Sequence, residues 1–193
     1  MQPISLVNVA HILIKEVLYP GDIAIDATVG NGHDTLFLAE QVSPSGRVFG
    51  FDIQQTAIDS TRAKANARWK MLPVNLTLIH ASHADMAEKI PAHYHGNISA
   101  IMFNLGYLPG GDKSIITRTD TTVTALTIAK RMLSSNGIIT VMAYPGHPGG
   151  DLETDQVKSW CKQLDEDQFK ISIIYSSENK ESAPKLFVIR KMN

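Results

Sequence analysis

The chain has a single cysteine, Cys161. One thiol cannot close an internal disulfide, which fits a reducing cytosol and sets a cytoplasmic expectation. Nor can it supply the three-thiolate set that radical iron–sulfur chemistry needs. No apolar run approaches the ~20 residues of a membrane-spanning helix. The start of the chain does not run through a basic region, an apolar stretch and a small-residue cleavage site, so no secretory signal is expected either. Charge of one sign is also missing. With 18 basic and 19 acidic residues the formal net charge is −1, which argues against a protein that coats nucleic acid nonspecifically. Local basic faces remain: Arg62, Lys64, Arg68 and Lys70 form one cluster, and Lys113, Arg118, Lys130 and Arg131 another. The first reads as a solvated helix face; the second reaches into a loop considered below. Repeats, low-complexity tracts and linkers are absent too, so residues 1–193 read as one domain, 44% hydrophobic and long enough to bury its own core.

What is present is a regular alternation. Ser5 to Leu18 carries apolar residues at helical spacing and is stopped by Tyr19-Pro20-Gly21. The strand DIAIDAT then leads through a glycine turn into the helix HDTLFLAEQV, and after the turn SPSG come the strand RVFGFDI and the helix QQTAIDSTRAKANARW. VNLTLIHA reads as a third strand, with a short helix near HADMAEKI. ISAIMFNLGYLPGG begins as a fourth strand and opens into a loop. TTVTALTIAKRML is helical, SSNG reads as its stop, and IITVMAYPG is a fifth strand followed by a helix from about Asp151 to Leu164. The chain ends in two strands, FKISIIYS and KLFVIRK, separated by a polar stretch with no helix. Helical crossovers force parallel neighbours and cover both sheet faces, whereas a short link lets the last pair run antiparallel. The expected fold is therefore α/β: a doubly wound, mostly parallel seven-stranded sheet with a C-terminal antiparallel hairpin.

In such a sheet, ligands sit outside the carboxyl ends of the strands, where strand order reverses. Residues 25–35, IDATVGNGHDT, put a glycine turn at that edge. Gly30 and Gly32 let backbone approach a ligand and take positive φ. A dinucleotide fingerprint would need glycine or alanine at position 35, where Thr35 stands, and Asp34 brings negative charge to the place a pyrophosphate would occupy. No Gly-Lys-Ser/Thr follows, so a P-loop is absent. The turn suits a nucleotide-like cofactor without phosphates, such as S-adenosylmethionine. Its ammonium seeks a carboxylate, for which Asp26 is placed; its ribose seeks another, for which Asp52 in GFDIQ is placed; Ser82 and His83, after the third strand, lie where adenine would. Thr28, Gly30, Asn31, Gly32, His33, Asp34, Thr35, Gln54 and Asn104 complete the expected cofactor-binding set. His80, His83, His93 and His95 suggest a metal, but no cysteine or carboxylate joins them at ligand spacing, and no metal is expected.

The fourth strand delivers Asn104 at its carboxyl end, followed by Gly106 and Tyr107. This resembles the Asn-Pro-Pro-Tyr motif of amino-group methyltransferases, in which the Asn and a backbone carbonyl accept hydrogen bonds from the target amine and the aromatic stacks on the target base. A neutral amide can orient an amine while leaving its lone pair free, and alignment is most of what methyl transfer asks of a protein. Leu105-Gly106 replaces the two prolines, which argues against the flipped adenine or cytosine of the motif's usual owners. C5-pyrimidine methylation would need a cysteine nucleophile at this loop, and Cys161 sits on a later amphipathic helix.

Together, DATVGNGHDTLFLAE, GFDIQ, FNLGYLPGGDKSIITRTDTT and YPGHPGG closely resemble a small bacterial family once labelled rRNA methylases and now understood as tRNA 5-aminomethyl-2-thiouridine methyltransferases. The resemblance covers nearly the whole chain. It implies a Rossmann-like class I methyltransferase fold, S-adenosylmethionine as cofactor, and methylation of the exocyclic amine on the tRNA wobble uridine. On that reading Lys113 and Arg118 form a phosphate-binding rim for an anticodon loop, with Tyr107 and Tyr144 as further substrate contacts. Asn104 and Tyr107 hold the reacting amine, and either His147 or Asp112 takes its proton. A homodimer is expected, because small members of this fold often use a second subunit to hold tRNA. A methyltransferase for ribosomal RNA or a small-molecule amine, and a cofactor-binding RNA module without turnover, stay open as alternatives.

Overall fold

The computed structural model describes residues 5–108, 110, 116–176 and 181–193. Its strands are β1 (Ile23–Asp26), β2 (Arg47–Asp52), β3 (Leu76–His80), β4 (Ile98–Asn104), β5 (Leu133–Ala143), β6 (Phe169–Tyr175) and β7 (Lys185–Lys191). Its helices are α1 (Leu6–Lys15), α2 (His33–Val42), α3 (Gln55–Trp69), α4 (Met86–Lys89), α5 (Thr119–Met132) and α6 (Gly150–Cys161). The strands form one sheet in the order β3-β2-β1-β4-β5-β7-β6. β1 to β5 pair in parallel, and β7 runs antiparallel to both β5 and β6. The expected seven-stranded sheet with an antiparallel C-terminal pair is what the chain forms. The polar link between β6 and β7 reverses the chain, and β7 then slots between β5 and β6 instead of adding at the rim.

Both faces of the sheet are covered, so the central strands carry mainly apolar residues on both sides. Ile25, Phe51, Ile101, Phe103 and Val141 face one layer, with Leu126 and Ala129 of α5 and Trp160 of α6. Ala24, Val48, Ala100 and Met102 face the other, with Ile14 of α1 and Leu38 and Val42 of α2. Consecutive residues of β1 thus belong to opposite layers, as the two-residue period of a strand requires. Among the described residues no helix is long and apolar enough to cross a membrane.

One local expectation needs correction. SSNG, read as a helix stop, lies inside β5. α5 ends at Met132 and Leu133 already pairs with Ile98, but the next pair is Ala100 with Ile138, so the turn signal is expressed as a bulge. Asn136 carries the left-handed backbone there (φ 60°), a conformation asparagine tolerates better than most residues.

The chain leaves β1 toward β2 and β3, then returns to β4 on the other side of β1. The reversal opens a crevice at the carboxyl ends of β1 and β4.

Candidate active site

A cleft of about 610 Å³ occupies that crevice, within the range of small-molecule sites. Of the residues singled out from sequence, Thr28, Gly30, Asn31, His33, Asp34, Asp52, Gln54, Ser82, His83, Asn104, Tyr107, Arg118, Tyr144 and His147 line it. Asp26, Gly32 and Thr35 stand behind its wall, and Asp112 and Lys113 fall outside the described residues.

The glycine turn presents two carboxylates to the cleft. Asp52 accepts the Gly30 N–H at Oδ2 and the Gln54 N–H at Oδ1, each over 2.8 Å. These bonds aim its carboxylate from the end of β2 and leave lone pairs for a diol. At Gly30 the left-handed backbone (φ 51°) is the constraint, because a Cβ there would make only ordinary contacts, the nearest 3.6 Å from the Leu108 side chain. Asp34 is held from behind, where His11 Nε2 of α1 donates to its Oδ1 over 2.6 Å and the His11 ring stacks on Phe37. Lys64 of α3, read from sequence as part of a solvated face, reaches in instead and donates to the Asn31 carbonyl over 2.7 Å.

One expected contact is redirected. The Asp26 carboxylate is buried and accepts the Thr35 hydroxyl (2.5 Å) and the Thr28 N–H (3.0 Å). It ties the turn to α2 and does not line the cleft, whereas Asp34 does and could meet a cofactor ammonium. Burial first, then the Asp34 and Asp52 charges, push the Asp26 carboxyl up to about 7. Gly32 takes the expected positive φ (79°) and is also required by packing: a Cβ there would collide with the Thr61 side chain of α3.

His83 lines the cleft after β3, where adenine is expected. Its Nδ1 donates to the Ala27 carbonyl over 3.2 Å, and its buried Nε2 has no partner among the described residues. Burial lowers its pKa, so the ring stays neutral and Nε2 is a bare acceptor fit for an exocyclic amino group. Ser82 accepts the Ala84 N–H at its hydroxyl. The remaining histidines of the cluster go separate ways: His80 bonds the Ile53 carbonyl, His95 the Ile90 carbonyl, and His93 packs on Tyr94. Among the described residues no three His, Cys, Asp or Glu side chains gather as metal ligands would. The donor set therefore fits S-adenosylmethionine: carboxylates for cationic and hydroxyl groups and an acceptor for adenine.

The reacting edge faces this set. The Asn104 N–H donates to the Thr28 hydroxyl over 2.7 Å, while no bond from its side-chain amide is seen among the described residues. The Leu105 N–H bonds the Met142 carbonyl of β5, and among the described residues the Leu105 carbonyl has no donor. Gly106 (φ 117°) packs against His147, which a Cβ would approach to 3.4 Å of Nε2. His147 Nδ1 donates to the Pro148 carbonyl over 3.1 Å, and its buried Nε2 has no partner among the described residues. A carbonyl can only accept, so the proton is on Nδ1 and the Nε2 lone pair is available in the neutral ring. Tyr107 meets His147 edge to face at 5.9 Å and remains exposed. Tyr144 is half-buried, its hydroxyl pKa raised by burial and then by the Asp34 charge. Arg118 is exposed and forks onto Asp120 at 3.1 and 3.2 Å; such a surface pair yields readily to a better anion.

Sequence reasoning missed His11, Lys64, Thr117 and Glu153, each of which holds a cleft residue from a distant part of the chain. Only Thr117, inside the loop motif rich in hydroxyls, carried a local signal.

The family described as Putative rRNA methylase matches residues 48–190. A chloroplastic tRNA (mnm5s2U34)-methyltransferase of Arabidopsis thaliana is 38% identical over 96% of this chain and 69% of its own length. A Clostridium thermocellum protein bearing the rRNA methylase name superposes with a TM-score of 0.91 at 38% identity, covering 100% of both chains. A Streptococcus mutans protein named as a methyltransferase, solved in complex with SAH, superposes with a TM-score of 0.82 at 33% identity over 98% of this chain and 99% of its own. With the fold, the cleft and the matches agreeing over nearly its whole length, this chain belongs to that methylase family.

Proposed function

We propose that the protein is a cytoplasmic, S-adenosylmethionine-dependent N-methyltransferase acting on the amine of 5-aminomethyl-2-thiouridine at the tRNA wobble position, giving 5-methylaminomethyl-2-thiouridine. The observation that carries the reading is the reacting edge: an Asn104 side-chain amide and a Leu105 carbonyl with no hydrogen-bond partner among the described residues, fastened through the Asn104 N–H to Thr28 of the glycine turn. The A. thaliana relative, named for this wobble modification, supplies the substrate.

When bound, S-adenosylmethionine supplies an electrophilic methyl on a sulfonium. The chain's residues do the rest. Asp52 holds the ribose, Asp34 the ammonium and His83 the adenine edge. The Asn104 side-chain carbonyl and the Leu105 carbonyl accept the two N–H bonds of the amine, which points its lone pair at the methyl carbon. The methylated amine would then lose its extra proton to His147 Nε2. Tyr107 gives the thiouridine a face to stack on, and Arg118 turns from Asp120 to an anticodon-loop phosphate. A homodimer gripping one tRNA belongs to the reading, and light scattering with and without tRNA tests it.

The deciding experiment is mass spectrometry of tRNA nucleosides after incubation with S-adenosylmethionine and tRNA bearing 5-aminomethyl-2-thiouridine. One added methyl on that nucleoside is the expected result. No gain, with cofactor binding measured separately, would sink the wobble substrate and favour the ribosomal RNA that the family description names.

A further inference from the structure

Glu153 is 3% exposed, lies in the first turn of α6, and has no basic partner among the described residues. Its two oxygens are taken by two hydroxyls: Thr117 Oγ1 donates to Oε2 and Thr122 Oγ1 to Oε1, both over 2.7 Å. Thr117 in turn brackets Gly106, its hydroxyl accepting the Gly106 N–H over 2.8 Å and its own N–H donating to the Gly106 carbonyl over 2.9 Å. A buried charge without a counter-ion costs stability, and an apolar residue would fill the space with less penalty. What a carboxylate adds is direction. It can only accept, so the single Thr117 proton must point at Glu153, and the Thr117 oxygen must then receive the Gly106 N–H.

That N–H belongs to the Leu105–Gly106 peptide. In a trans peptide the N–H and C=O point opposite ways, so fixing one toward Thr117 fixes the other away from it. We infer that Glu153, acting through Thr117, is a positioning residue that holds the Leu105 carbonyl in its orientation at the reacting edge. α6 contributes to the reaction without touching substrate or cofactor. The inference rests on the reading of residues 104–107 as the amine-holding edge. Substitution disturbs the alignment of the amine and leaves the cofactor half of the cleft, on β1 and β2, as it was.

The test compares Glu153→Gln, Thr117→Val and Thr117→Ser. Gln must donate from one of its two positions, so one hydroxyl loses its acceptor. Val keeps the shape of Thr and loses the hydroxyl; Ser keeps the hydroxyl. Single-turnover methyl transfer is expected to fall on the order of 10- to 100-fold in Glu153→Gln and Thr117→Val, the scale of a misplaced reacting group. Cofactor affinity should stay unchanged, and Thr117→Ser should restore turnover. Amide exchange at Gly106 should quicken in the same two variants. Thr117→Val turning over at the wild-type rate, or Gly106 exchange unchanged in both, would overturn the inference. Should the wild-type protein itself leave the wobble nucleoside unmethylated, the substrate reading fails, and Gly106 exchange still decides whether the clamp exists.

Discussion

The Asn104 backbone N–H and the Thr28 hydroxyl are joined over 2.7 Å, across 76 positions of sequence. This bond bridges the end of β4 to the end of β1 at the switch point, so the proposed amine-holding edge and the proposed cofactor turn share one rung. Their spacing is a property of the sheet and does not depend on a hinge between lobes.

Because the backbone of Asn104 makes that structural bond, its side chain can be removed without loosening the rung. Asn104→Ala is expected to lower kcat on the order of 10²- to 10³-fold, the usual loss for one preorganised transition-state contact. Cofactor affinity, read by calorimetry, should stay within a few-fold. Full activity in this variant would remove Asn104 from the mechanism.

Asp52 should behave in the opposite way. Hydrogen bonds to a charged group contribute about 1.5–3 kcal/mol, so Asp52→Ala is expected to weaken cofactor binding roughly 10- to 150-fold. Turnover at saturating cofactor should suffer less. Unchanged affinity would mean that the ribose is held elsewhere.

Gly32 invites a double-mutant cycle. A Cβ at this position meets a φ of 79° and the Thr61 hydroxyl. The left-handed backbone alone costs a non-glycine residue about 1–2 kcal/mol, and the collision adds to it. Gly32→Ala should therefore destabilise the fold more in the wild-type background than in Thr61→Ala, which removes the hydroxyl and methyl and leaves the backbone part and a tight 3.0 Å approach to the residue-61 Cβ. Urea titrations giving equal costs in both backgrounds would rule out the packing explanation.

Asp26 makes stability depend on pH. Its folded pKa, about 7, lies above the ordinary 3.8, so between these values the folded state binds more protons than the unfolded one. Stability from this group is then greatest below pH 4, declines as pH rises toward 7, and levels off above it. Asp26→Asn removes the titration. Its stability relative to wild type should rise steadily from pH 4 to 7 in denaturant unfolding. A difference flat across that window would show that Asp26 is ionised throughout.

The architecture was largely legible because it rests on local patterns. Apolar strands, helical spacing and turn residues announce themselves within a dozen positions, and the glycine turn and Asp52 were placed by the same reading. What escaped was non-local. Asp26 stands where a ligand carboxylate should, yet Thr35, brought back by the first turn of α2, takes it. Gly32 answers to Thr61 on another helix, Asp34 to His11 before the first strand, and Thr117 to Glu153. No spacing rule connects such pairs, because the sheet brings them together only after it has formed. SSNG failed for a related reason: the turn signal was real, but its neighbours Leu133 and Ile138 both pair with β4.

Cys161 has a practical consequence. Its thiol is buried on α6, and burial pushes its pKa up to about 12, so it is a poor nucleophile toward maleimides and iodoacetamides. The native surface is thus blank to thiol reagents. A cysteine introduced at an exposed position such as Asn66 on α3 would take a fluorophore as a single address, with no background mutation, and RNA docking could be followed on an otherwise unaltered molecule.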